Sequence, residues 1–165
     1  MALVRGRVLL AVLLLAVWAA LAYPLEIQEI GAAGIVTVIV LLLPLGAGAI
    51  LGDFRVNPRA IAFAIAYFFV FFGELIRANL DVAFRVLSPE LPIRPGVVRV
   101  RTRLQSRLGR LLLANSITLT PGTITVETHG DILYVHWINV ASEDIEEATG
   151  RIIKKFERYL EVFCG

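Results

Sequence analysis

Apolar and polar positions divide this chain into an opening half built of long apolar runs and a closing half of short alternating ones. The longest run, 30–51, reads IGAAGIVTVIVLLLPLGAGAIL, with no charge and Thr37 as its one polar side chain. A helix over it rises about 33 Å, against a bilayer hydrocarbon thickness of about 30 Å. Each of its many Leu, Ile and Val residues favours insertion by about 0.3–0.6 kcal/mol near a helix centre. A second run, Val8 to Leu25, follows Arg5 and Arg7. Its basic start and Ala20-Leu21-Ala22 fit a cleavable signal peptide. The preferred reading is a short or tilted membrane helix over 8–23, with Trp18 and Tyr23 towards the far interface. The connection 24–29 carries Glu26 and Glu29 and no basic residue, so the two runs predict a transmembrane hairpin.

A third segment, Ala60 to Gly73, is apolar but short. The helical pattern continues past it: Glu74, Arg77, Asp81 and Arg85 follow at spacings of three and four with alternating sign, a polar stripe suited to pairing along one face. Residues 58–87 therefore predict one long helix with an amphipathic second half. Arg5, Arg7, Arg55 and Arg59 flank the hairpin's outer ends, and the charge rule puts both ends in the cytoplasm. A crossing third helix would carry the arginine-rich stretch 94–110 outside. A lateral helix removes that conflict, and a tilted crossing stays open.

Beyond Ser88-Pro89 the pattern changes. Val98, Val100 and Thr102 alternate with Arg99, Arg101 and Arg103, the period of a half-buried strand. Leu104, Leu108, Leu111, Leu112 and Asn115 recur at helical spacing, Pro121-Gly122 suits a type II turn, and 123–128 alternates again. His129-Gly130-Asp131 closes a hairpin onto 132–140. Ser142 is the expected N-cap of a last helix running to about Phe163, with Ile145, Ala148, Ile152, Phe156, Tyr159 and Leu160 as its buried stripe. The expected fold is membrane α plus a small α+β domain, β-α-β-β-α like part of a ferredoxin-like fold. The expected domains are 1–88 in the membrane (helices near 8–23, 30–51 and 58–87) and 89–165 in the cytoplasm.

Composition agrees with that division. The chain of 165 residues is 58% hydrophobic and its net charge of +2 is too small to argue for nucleic acid. Gly48 and Gly52, in small-x-x-x-small spacing, are candidates for close helix contact, and Glu74, Arg77, Asp81 and Arg85 for an interface. Chemistry is sparse. His129, His136 and the lone Cys164 match no metal spacing. Ser116 and Ser142 have no evident base partner, and no glycine-rich phosphate loop precedes a helix. No catalytic, cofactor or metal site is expected. The arginines at 99, 101 and 103 read as the wet face of a strand, or as contacts for anionic lipid or an acidic partner. Neither helix of the hairpin holds a titratable group at membrane depth, where ion pathways normally show one; Glu74 comes nearest.

The stretch 112–123, LLANSITLTPGT, followed by Ile124-Thr125-Val126 and Leu133-Tyr134-Val135-His136, resembles the E subunit of Mrp/Mnh-type multisubunit cation/proton antiporters. So do 90–96, ELPIRPG, and the helix carrying Glu74-Leu75-Ile76 and Asp81-Val82. The motif residues are Asn115, Thr118, Thr120, Pro121, Gly122 and Thr123, read as structural. The resemblance implies N-terminal membrane helices, a cytoplasmic domain and assembly with larger ion-carrying subunits in the cell membrane. It extends to the antiporter modules of archaeal membrane-bound hydrogenases and similar respiratory complexes. The expected role is a non-enzymatic accessory subunit whose partners are other membrane subunits and the lipid bilayer. The alternatives are a membrane-anchored domain that binds anionic lipid or a cytosolic ligand, and a small transporter resting on Glu74.

Overall fold

A computed structural model describes residues 2–24, 26–43, 46–90 and 92–165. They form two compact units, Met1–Phe54 and Arg55–Gly165.

The first unit holds α1 (Ala2–Leu21), α2 (Ile27–Leu42) and α3 (Ala47–Leu51). The single helix expected over 30–51 is two. Leu43 is extended, with ψ 140°, as the residue before a proline prefers, and α3 resumes after Gly46, which has φ +68°. Pro44 and Leu45, in the middle of the expected helix, lie outside the described residues. The first helix also starts earlier than expected and takes in Arg5 and Arg7. The Trp18 indole donates to Glu29 Oε2 at 3.2 Å, fixing the turn end of the hairpin. At the other end the Arg5 guanidinium donates to the Gly52 carbonyl, and a Cβ on Gly6 would overlap the Gly48 carbonyl oxygen. Gly48 and Gly52 thus serve backbone contact between α3 and α1. Outside these contacts the apolar side chains are largely exposed, Ile35 at 65% and Leu21 at 82% among them. Such a surface suits hydrocarbon, not water.

The second unit opens with α4 (Pro58–Leu87). Asn57 Oδ1 accepts the Ala60 amide at 2.7 Å, and Pro58 stands where a helix tolerates a missing N–H. Then follow β1 (Gly96–Arg101), α5 (Arg107–Leu119), β2 (Thr123–His129), β3 (Ile132–Trp137), α6 (Ile145–Ile152) and α7 (Lys154–Cys164). The sheet is antiparallel in the order β1-β3-β2. Val98 faces Val135 and Val100 faces Leu133 in register, all four buried. Leu104, Leu113, Ile117, Ile153, Phe156 and Leu160 are among the other buried residues of the core. The opposite sheet face is open at Val97, Ile124 and Val126.

Three details differ from expectation. The compositional boundary at 88–89 is not where the compact units part, because α4 belongs with the C-terminal elements. Its Phe63, Tyr67 and Phe71 pack on Tyr159, Phe163 and Phe156 of α7, with ring centroids 6.0, 5.6 and 6.4 Å apart. Helix α5 begins at Arg107 with Ser106 as N-cap and buries Leu108, Leu113 and Ile117, while Leu111 and Asn115 face outward. The last helix is broken at Ile153, and its N-cap is Asp144, not Ser142: Asp144 Oδ1 accepts the amides of Glu146 and Glu147 at 3.0 and 2.9 Å.

Candidate functional site

The motif stretch 112–125 is wired by hydroxyls. Side-chain hydroxyls add further bonds to carbonyls of the last turns of α5. Ser116 Oγ donates to Leu112 O at 2.7 Å, so the Tyr67 hydroxyl donates to Ser116. Thr120 Oγ1 donates to Ser116 O at 2.6 Å, and Thr123 Oγ1 to Ile117 O at 2.7 Å. Thr125 Oγ1 reaches Ala114 O at 3.1 Å, while its amide donates to Thr118 Oγ1 at 3.1 Å. Pro121-Gly122 makes the turn with Gly122 at φ +91°, the left-handed value that the third residue of a type II turn requires. A Cβ on Gly122 would lie 3.0 Å from Ile138 Cγ2, so the turn is also tightly packed. Asn115 is exposed and holds no such bond among the described residues.

The turn faces α4 across a cleft of about 240 Å³. Glu74, Arg77 and Asp81 line one side, Thr120, Pro121 and Thr123 the other. The structure thus brings together two residue sets that the sequence offered separately. Glu74 forms an ion pair with Lys155 of α7. Asp81 is held by Arg85 at 2.7 and 3.1 Å, and Arg85 also donates to Pro92 O at 2.8 Å. Arg77 is exposed. Gly48 and Gly52 belong to the other unit and are no part of this cleft.

Sequence reasoning missed two fastenings. Lys155 lies 81 residues from Glu74, and nothing local joins them. Glu157, 8% exposed, accepts from Thr102 Oγ1 at 2.6 Å and from the Arg103 amide at 2.7 Å. Its place on the buried side of α7 was the available signal. Among the described residues no three His, Cys, Asp or Glu side chains gather as a metal site. His129 is exposed beside Glu127 at 3.3 Å, and Cys164 is buried.

The arrangement is that of a membrane protein: apolar helices followed by a small α+β unit whose polar groups fasten its own elements together. The family model described as a Na+/H+ ion antiporter subunit, MNHE, matches residues 11–162. The chain belongs to that family. The E subunit of the Na(+)/H(+) antiporter of Alkalihalophilus pseudofirmus is 44% identical over 77 residues, 46% of this chain and 49% of that protein. The corresponding antiporter chain of Bacillus subtilis is 40% identical over 95 residues, 56% of this chain and 59% of that protein. The matches thus span about half the length of these curated relatives. Among solved structures, a chain of the membrane-bound sulfane sulfur reductase, an archaeal respiratory membrane complex, superposes with a TM-score of 0.79 at 36% identity. That match covers 96% of this chain and 99% of that one.

Proposed function

We propose that this chain is a non-catalytic accessory subunit of a multisubunit Na+/H+ antiporter, or of the antiporter module of a respiratory membrane complex. The observation that carries this reading is the near full-length likeness to one chain of such a complex. The chemistry supports it. The two acids of α4 that line the motif cleft are paired within the unit: Glu74 with Lys155, and Asp81 with Arg85.

In this reading α1 crosses the membrane and 27–51 returns. Helix α2 alone rises about 24 Å, short of the hydrocarbon thickness, and the stretch through α3 supplies the rest. Arg5, Arg7, Arg55 and Arg59 support, by the positive-inside rule, an N-terminus and a C-terminal unit on the cytoplasmic side of a multi-pass plasma-membrane protein. The sheet order β1-β3-β2 supports a ferredoxin-like arrangement without its fourth strand. The hairpin seats against neighbouring membrane subunits, and the α+β unit braces their cytoplasmic side.

Deleting 55–165, the whole second unit including α4, tests the bracing role. Loss of the chain's partners on purification, with loss of ion transport, is the expected result. A complex that assembles and transports normally without the unit overturns it. A chain purified alone that is stable, monomeric and ligand-binding favours a self-sufficient binding domain instead.

A further inference from the structure

We propose that α4 lies along the membrane–water interface, its outer face dissolved in an anionic bilayer surface, and does not cross the membrane. Composition alone leaves crossing open, since α4 is long and apolar enough to span. Its two faces, however, meet different things. Phe63, Tyr67 and Phe71 are taken by α7, which runs antiparallel beside the apolar segment 60–73. On α7 the exposed side chains include Lys154, Arg158 and Glu161. Sending 60–73 through hydrocarbon would send these charges with it, facing away from the unit. Charged groups at that depth normally face a protein interior or a water-filled cavity.

The other face of α4 is apolar but for Asn79, which is exposed in line with Ile61 and donates its side-chain amide to Leu75 O at 2.8 Å. Ile61, Ile65, Phe69, Ile76, Phe84 and Leu87 are all at least 43% exposed. At 100° per residue they cover roughly half the circumference over about 40 Å of helix. A helix with one apolar face and one polar or packed face is the form that lies in the interface plane. The occupant is lipid for two reasons. First, the chain enters α4 straight from the apolar hairpin: residues 52–57 reach about 20 Å at most, so the helix begins beside the membrane. Second, the charge suits anionic headgroups. Glu74 and Asp81 are neutralised by Lys155 and Arg85. Arg59 and Arg77, about five turns apart on one border of the stripe, have no carboxylate partner among the described residues.

This inference rests on the membrane placement of 2–51 and is independent of the antiporter role. Its test uses the full chain in vesicles containing anionic phospholipid. In a Cys164→Ala background, Ile65→Cys, Phe69→Cys, Ile76→Cys and Phe84→Cys are each nitroxide-labelled, and depth is read from collisions with oxygen against a water-soluble nickel chelate. All four positions should report the same shallow depth, about 5–10 Å below the headgroups. A profile passing through a maximum near the bilayer centre, about 15 Å deep, overturns the proposal in favour of a crossing. Low accessibility to both reagents overturns it in favour of a protein cover. Photoactivatable lipid should also label the unaltered chain within 61–87, and absence of label there counts against the proposal without any substitution. Arg59→Gln with Arg77→Gln should move the labels outward in anionic vesicles; unchanged depth removes the headgroup contact. Should the hairpin not be in the membrane at all, the whole chain leaves the vesicles, a distinct outcome.

Discussion

The Thr102 hydroxyl donates to Glu157 Oε1 at 2.6 Å inside the second unit, where Thr102 is 2% and Glu157 8% exposed. The Arg103 amide shares the same oxygen at 2.7 Å. Removing the acceptor leaves two donors with little access to water, each costing about 1–3 kcal/mol. Glu157→Ala should therefore lower stability by about 3 kcal/mol, and Glu157→Gln, which keeps an acceptor oxygen, by clearly less. Thermal unfolding of the full chain in detergent measures both. Equal losses would show that packing, not the acceptor, holds α7 to the end of β1.

Gly6 is predicted to be irreplaceable in the hairpin, because a Cβ there would overlap the Gly48 carbonyl oxygen. No neighbouring atom lies within 4 Å of a Cβ placed on Gly31. Gly6→Ala should loosen α1 from α3, seen as faster proteolysis of the hairpin in detergent. Gly31→Ala should leave it unchanged or slightly firmer, since alanine favours helix by about 1 kcal/mol over glycine.

Glu74 directly follows the apolar segment of α4, and Lys155 neutralises it in the folded unit. The pair is partly solvated, so its contribution is small, about 0–1 kcal/mol. Glu74→Gln should leave ion transport by the assembled complex within a factor of about two. Glu74→Lys should destabilise the α4–α7 contact, and adding Lys155→Glu should restore it. A collapse of transport in Glu74→Gln with assembly intact would make Glu74 a proton-handling group.

The Glu147 carboxyl titrates below its ordinary range, chiefly through the Ser142 hydroxyl and next through Arg151, whose Nη2 stands 2.9 Å away. A depressed folded value contributes stability that is complete above the ordinary carboxylate range. It is lost as pH falls through the lower folded value. The site is fully exposed, so the effect is local fraying of α6. Corrected for the intrinsic pH dependence of amide exchange, protection across 145–152 should fall at acid pH, and Glu147→Gln should show that lower protection already at neutral pH.

Much of this fold was legible in local pattern. Alternation at Val98 and Val100 announced the inner face of β1, and Pro121-Gly122 announced a turn that needs positive φ. Pro44 also signalled a helix end at Leu43, but the apolar run on both sides masked it. The faces of α4 were not legible, because Phe and Tyr suit a protein contact and lipid equally well. Which rings met α7 depended on a helix some 90 residues further along the chain. The motif string was plain in sequence, but its purpose was not. Hydroxyls reaching back to Leu112, Ser116 and Ile117 carbonyls exist only once α5 and β2 are placed.

On both outer rims of the three-stranded sheet one peptide amide is already engaged: Arg101 gives its N–H to Thr149 Oγ1 at 2.9 Å, and Thr125 gives its own to Thr118. A guest strand arriving from a neighbour would have to strip away a helix before it could pair. Strand exchange and edge-to-edge fibre growth are thereby disfavoured.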